Sequence, residues 1–156
     1  MRGIYEVRAA LEALAGKLFV ERATEAHRER LAKEFAALTV AHHKAIPAGM
    51  LEKTVGFYDA IFAGAQNDTI AATLRPLSGR IYLLRARSMS VKGRRIVSFG
   101  EMKAIFSTLN GNDPAKAWEA CWQHVMMAAE YALRTFEVAP GADAVTPLKR
   151  ASGRTD

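Results

Sequence analysis

Residues 51–68, LEKTVGFYDAIFAGAQND, constrain the fold more than any other stretch of the chain. Leu51, Val55, Tyr58, Ile61, Phe62 and Ala65 recur at three- and four-residue intervals, which predicts an amphipathic helix with one broad apolar stripe. Such a stripe has to be covered, and a chain that repeats this period along its length covers helix with helix. At the end of the stretch, Asn67 suits a left-handed C-terminal position and Asp68 the cap of a following helix. Thr54 and Tyr58 lie one turn apart on the inner face and point toward whatever the bundle encloses. Two polar groups on a core-facing stripe can line a small-molecule cavity. The plainer alternative has Thr54 bonded back to its own helix and Tyr58 in the core with its hydroxyl at the surface.

The same period runs through the rest of the chain. A first helix is predicted from Ile4 to about Ala23, with Val7, Leu11, Leu14 and Leu18 on its stripe. Arg8 and Glu12 are one turn apart, a pair worth a few tenths of a kcal/mol if exposed. Thr24 is an N-cap candidate with Glu25 in the first turn, and the second helix runs to about Lys44. His42 and His43 are adjacent, so they face different ways and cannot both serve one metal from a straight helix. Residues 46–49 read as a loop, and the central helix follows at about 50–65. A fourth helix opens at Asp68-Thr69 and carries Ile70, Leu74, Leu77, Ile81 and Leu84 inward. Pro76 removes one of its hydrogen bonds and should kink it around Thr73. Residues 88–95, SMSVKGRR, read as a mobile basic connection. Ser98 with Glu101 three residues on has capping-box spacing for a fifth helix ending at Leu109. Asp113-Pro114 is an N-cap and N1 arrangement for a last helix running to about Val138. The expected architecture is all-α: an antiparallel bundle of about six helices in one domain over residues 1–138. Residues 139–156 are rich in Pro, Gly and polar residues, and disorder is expected there.

Composition narrows the function classes. Half of the 156 residues are hydrophobic, enough for one real core. No apolar run approaches a membrane span and no secretory signal pattern follows Met1, so a cytoplasmic setting without membrane contact is expected. The single cysteine, Cys121, excludes an internal disulfide and is expected to pack rather than react. The formal charge is +6, and it is uneven. Between Asp68 and Glu101 there is no acidic residue, while Arg75, Arg80, Arg85, Arg87, Lys92, Arg94 and Arg95 are present. A solvated helix face plus a loop accounts for this better than a DNA-contacting surface, because the aromatic interleaving of single-strand binders is missing. No nucleophile–base pair, Gly-rich phosphate loop or supported acid/base pair is visible, so no catalytic residue is assigned and an enzyme is not expected.

With the helices placed, a set of residues in order and in register resembles a known family. YEVRAALE at 5–12 is similar to its first-helix signature, with Arg8 and Glu12 in place. Thr24-Glu25 stands at its second-helix start. Phe57 and Asn67 match the pattern Asp-x-x-Phe-His followed nine residues later by Asn. Glu101, Ile105, Gly111 and Asp113 follow in register, then Ala117 and His124 on the last helix. From residue 4 to about 137 the chain resembles the effector-binding (FCD) domain of FadR-like, GntR-family transcription regulators. Many members bind a divalent metal, commonly zinc, through an aspartate and histidines. Here Thr54 stands at the aspartate position, Tyr58 at the first histidine position and Met102 at the histidine after Glu101, so His124 alone remains. A hydroxyl, a phenol, a thioether and one imidazole do not make a metal site. The resemblance is thus to the metal-free branch of the family.

The resemblance implies a ligand-sensing and dimerising domain without metal or other cofactor, expected to form a homodimer. DNA would be contacted only through a winged-helix domain, which is not expected within this chain. Arg8 and Arg80 occupy positions that tend to face the family pocket, and an arginine fork suits a carboxylate or phosphate. The candidate ligand residues are Arg8, Thr54, Tyr58, Arg80, Met102 and His124, and the expected effector is a small organic acid or acyl compound with an anionic head. Plainer roles stand beside these: Arg8 paired with Glu12, Arg80 solvated, Met102 and His124 in the core. The competing readings are a degenerate dimerisation module that has lost its ligand and a basic helical nucleic-acid-binding protein.

Overall fold

The computed structural model describes residues 2–45 and 47–137. Seven α-helices and one 3-10 turn follow in order: α1 Arg2–Arg22, α2 Glu25–His43, α3 Pro47–Ala65, α4 Asp68–Leu74, the turn Arg75–Leu77, α5 Ser78–Met89, α6 Arg94–Leu109 and α7 Pro114–Glu137. With α4, the turn and α5 counted as one bent helix, this is the expected all-α bundle of six. Residues 139–156, where disorder is expected, lie outside the described residues, as does Val138 at the expected end of the last helix. No described helix is long and apolar enough to cross a membrane.

Local chemistry sets several boundaries where expected. Thr24 is extended and accepts from the His27 amide at 3.4 Å, while the Thr24 amide donates back to His27 Nδ1 at 3.2 Å, so a histidine completes the capping box of α2. Asp113 Oδ1 accepts from the amides of Ala115 and Lys116 at 3.1 and 3.2 Å, and Pro114 follows at the first position of α7.

Other boundaries differ from expectation. Residues 47–49 belong to α3 rather than a loop, because Pro47 lacks only an amide that a first helical turn leaves free. The left-handed residue after α3 is Gln66, with φ 49°, while Asn67 is extended and heads α4 without a side-chain cap. Gln66 is held in that conformation by its ties to α1. Its side-chain amide donates to the Arg22 carbonyl, and Arg22 Nη1 donates back to the Gln66 carbonyl at 3.4 Å. Pro76 bends the fourth helix as expected, as a 3-10 turn at 75–77 slightly beyond Thr73. Ser98 does not cap the fifth helix. It is buried inside α6, which starts at Arg94 behind Gly93, whose φ of +79° turns the chain left-handedly.

The core has two parts. The larger gathers Phe19, Leu31, Leu38, Phe57, Ile61, Ile105, Leu109 and Cys121 from α1, α2, α3, α6 and α7. Phe35 stacks on Phe106 at 4.3 Å between ring centroids, closing α2 on α6. A smaller cluster joins Tyr5 and Ala9 of α1 to Leu84 of α5 and to Val125, Ala128 and Ala132 of α7. The closest helix pair is α1 with α7, where Gly16 lies against Ala117 and Cys121 with no room for a side chain. Cys121 is fully buried and burial pushes its thiol pKa up, so it packs rather than reacts. His42 stacks on Phe99 at 4.1 Å, and the exposed His43 stands edge-on to His42 and Phe99 at 5.8 and 6.5 Å between ring centroids, so the two adjacent imidazoles gather at one aromatic ring rather than facing different ways.

Candidate functional site

Where the two apolar clusters meet, the bundle holds a layer of charge. Arg8 and Glu12 project from α1, each about 1% exposed or less. Arg8 donates through Nε to Glu12 Oε1 at 3.0 Å and through Nη2 to Oε2 at 3.4 Å. Arg85 reaches the same carboxylate from α5, with Nη2 3.3 Å from Glu12 Oε1, and lies 4.6 Å over the Tyr58 ring. A second group stands beside it. Arg94 forms a two-pronged pair with Glu101 at 2.7 and 2.8 Å, its Nε faces Ser88 Oγ at 3.4 Å, and its guanidinium covers the Tyr131 ring. Glu101 Oε2 in turn meets His124 Nδ1 at 2.7 Å.

The ionisation states follow from burial and these partners. Burial alone would raise the Glu12 pKa, but Arg8 and Arg85 hold it below the usual carboxylate value. Burial opposes ionisation of Glu101 as well, and His124 and Arg94 keep its pKa low. For His124, burial outweighs the nearby Glu101 and lowers the pKa, so the imidazole is neutral and its Nδ1–H donates to the carboxylate. Burial, then Glu12, raises the Tyr58 hydroxyl, which stays a phenol.

These shifts set a pH dependence. Glu12, Glu101 and His124 all have folded pKa values below their ordinary ones, so the unfolded chain takes up protons first and stability falls with falling pH. The melting temperature should be level between about pH 7 and 8, above which the unfolded-state Cys121 thiol and then the Tyr5 and Tyr58 phenols begin to ionise ahead of their buried counterparts. It should drop in one stage below about 6.5 as the unfolded-state histidines protonate, and in a second below about 4.5 as the carboxylates do. His124→Gln removes most of the upper stage, leaving the smaller share of half-buried His42, whose pKa burial also lowers. A melting temperature that rises from pH 7 to 6 would show instead that His124 is charged in the folded protein.

The residues singled out from the sequence fall into two groups. Arg8, Thr54, Tyr58, Met102 and His124 are all buried; Arg8, Thr54 and His124 line one small chamber, and the Tyr58 ring lies 6.4 Å from that of His124. Thr54 donates to the Met50 carbonyl at 2.8 Å, the plain back-bond. Tyr58 does not bring its hydroxyl to the surface: the oxygen is buried and has no hydrogen-bond partner among the described residues. Met102 belongs to the apolar core. Nor is Arg8–Glu12 a surface pair, since both side chains are withdrawn from water. Arg80 is the exception. It is exposed on α5 and lines neither of the cavities near Tyr58, and Arg85 stands in the place expected for it.

Arg85 and Arg94 are also the residues that reading the basic stretch as solvated surface missed. A signal for Arg85 was present, because 81, 84, 85 and 88 form one inner stripe of a helix. For Arg94 the signal was its placement seven residues before Glu101, two turns along one helix.

Two cavities flank Arg85. A chamber of about 20 Å³, room for one water-sized species, is lined by Arg8, Thr54, Arg85, Arg94 and His124 among others. A larger cavity of about 340 Å³ opens between α3, α4 and α5 and is lined by Val55, Tyr58, Phe62, Leu74, Ile81 and Arg85 among others. Three donors around them are buried without a partner among the described residues: Arg8 Nη1, Arg85 Nε and the Tyr58 hydroxyl. The chamber does not suit a divalent metal. Three guanidiniums line it, the Thr54 hydroxyl is committed to its own helix, and among the described residues no three His, Cys, Asp or Glu side chains converge.

Residues 3–126 match the FCD domain family, and the chain belongs to it: this is the effector-binding domain of GntR-family transcription regulators, a regulatory and non-enzymatic family. No curated protein matches the chain.

Proposed function

We propose that this FCD domain senses a small organic anion and holds its head group with arginines in place of the metal that many members use. The charge count at the centre of the bundle carries this reading. Three buried or nearly buried guanidiniums, those of Arg8, Arg85 and Arg94, face two carboxylates, Glu12 and Glu101, with His124 neutral. Among the buried groups the guanidiniums outnumber the carboxylates by one, and the further carboxylate that acts on Arg85, Asp59, stands at the exposed surface; a buried charge answered only from the surface is costly. An anion placed against Arg85 and Arg8 would also satisfy donors that lack partners in the domain alone. Arg85 and Tyr58 then stand at the head, Arg8, Thr54 and His124 line the small chamber behind Arg85, and Met102 packs in the core beneath.

Binding couples to regulation because Arg85 and Glu12 join α5 to α1. A ligand that competes for Arg85 alters that pairing, and a sensor passes such a change to DNA-reading domains and to a second copy of itself. The nucleic-acid alternative loses ground, since Arg85 and Arg94 are turned inward and the exposed basic surface shrinks accordingly.

The test is thermal unfolding with a panel of carboxylates and acyl compounds, with zinc and with EDTA. A ligand that binds only the folded state raises the melting temperature by mass action, about 2.7 kcal/mol of stabilisation at a hundredfold excess over Kd. One or more organic anions should do so, and Arg85→Met should abolish the shift. Stabilisation by zinc with loss in EDTA would refute the metal-free reading. A flat response to every anion would leave the domain as a dimerisation module without ligand.

A further inference from the structure

α1 is apolar on nearly every side, and the bundle covers only part of it. The buried face is made mostly of small residues, Ala9, Ala13, Ala15 and Gly16, around the Arg8–Glu12 ion pair. Larger aliphatic side chains are left outside. Val7 is 42% exposed, and Ile4, Leu11 and Leu14 are half-buried. The outward line of the helix runs through Gly3, Val7, Ala10, Leu14, Lys17 and Glu21, in alternating steps of four and three residues. That is the spacing with which one helix seats another, and a helix apolar all round is ordinarily buried all round. The charges along this line are ordered too. Lys17 and Glu21 occupy its C-terminal end and pair with each other at 2.9 Å, yet their side chains are 42% and 36% exposed and can reach a neighbour. Arg2 and Glu6, both exposed, stand beside Gly3 and Val7 at the N-terminal end.

We propose that this outer face of α1 docks on the same face of a second copy of the chain, the two helices running antiparallel about a two-fold axis near Glu12. Reversal about that point sets Ala10 against the partner's Leu14, so a small residue meets a large one at the centre. It sets Val7 against the partner's Lys17, whose stem covers the valine while its ammonium reaches Glu6. It sets Gly3 against the partner's Glu21, within reach of Arg2. Each charge then meets its opposite, whereas a parallel pair would set Glu6 near Glu6 and Lys17 near Lys17. This face is distinct from the buried charge layer and stands whether or not an anion binds there. The same helix nonetheless carries both: Arg8 and Glu12 point inward from α1, and the docking line points outward. A shift of α1 at one face is therefore a shift at the other.

The experiment is sedimentation equilibrium of the purified chain over a range of concentrations, with circular dichroism of each variant as the check on folding. The wild type should sediment as a dimer that dissociates on dilution. Ala10→Glu and Val7→Lys, both at exposed positions, should sediment as monomers with unchanged helical content. Glu6→Lys should weaken the dimer about tenfold, because two symmetric contacts pass from attraction to repulsion, and adding Lys17→Glu should restore it. A wild type that stays monomeric at every concentration, or a dimer that both Ala10→Glu and Val7→Lys leave intact, overturns the surface. A double charge exchange that dimerises no more tightly than Glu6→Lys alone overturns the antiparallel arrangement.

Discussion

Glu12→Gln should cost the domain about 3–5 kcal/mol, measured as the loss in unfolding free energy in urea, the largest effect of any single change considered. Glutamine keeps the volume and loses the charge. Glu12 answers two guanidiniums, Arg8 and Arg85, and after the change neither has a carboxylate. The reverse deletion is milder. Arg8→Met leaves Glu12 paired with Arg85 and brings the central count to two guanidiniums against two carboxylates. It should therefore cost clearly less than Glu12→Gln, although both remove the same 3.0 Å ion pair. Equal losses would show that the cluster carries no charge excess, and would weaken the anion reading along with it. An organic anion that stabilises the wild-type protein should not rescue Glu12→Gln fully, because one monoanion cannot answer two unpaired guanidiniums.

Gly64→Ala is the second large effect, an expected loss of about 1–3 kcal/mol from overpacking. A methyl group at position 64 would overlap the ring of Phe19, which is fully buried on α1 and has no open side to turn toward. The cost falls on the α1–α3 contact, so α1 or α3 must back away. Gly56→Ala is the control on the same helix. There the added methyl meets Glu34 Oε2 at 2.5 Å, the far end of a flexible and half-buried side chain that can swing aside. Relieved of that contact, the substitution should be neutral or stabilise by up to about 1 kcal/mol, through the better helix propensity of alanine. Chemical denaturation of the two variants side by side separates steric cost from helix propensity. Similar stabilities would mean that α1 and α3 are not in close contact at Gly64.

The fold was largely legible because its signals are local. Thr24, Asp113-Pro114 and the period of the apolar residues each act within a turn or two of chain, and the structure places the helices they mark, although α1 buries Tyr5, Arg8, Ala9, Glu12 and Ala13 while Val7 of its predicted stripe is exposed, as is Val40 of α2. The misplaced boundaries share a physical cause, namely that distant partners decided them. Ser98 has the spacing of a cap, but Arg94 is drawn into the bundle by Glu101 and Ser88, and the helix extends back to follow it. Gln66 is left-handed where Asn67 has the better intrinsic preference, because only Gln66 is tied to Arg22. For the site, the register of residues taken from the family picked out Arg8, Thr54, Tyr58 and His124, which the bundle brings near one another, and Met102, which packs in the apolar core. What it could not give was which basic residues of the 75–95 stretch turn inward. A run of arginines reads as solvated unless carboxylates wait for it, and those carboxylates sit on α1 and α6, far along the chain.

The 3-10 turn at Arg75–Leu77 has a bearing on ligand entry. It separates a seven-residue helix from α5, and neither α4 nor α5 has a side-chain cap at its N-terminus. Short, uncapped segments joined by a proline open at lower free energy than the long helices they pack on. The outer wall of the larger cavity is thus built on short helical segments whose N-termini lack side-chain caps. A molecule that bridges α3 and α5 through this wall would quiet its local unfolding, and the free energy of that ordering becomes part of the signal the domain sends.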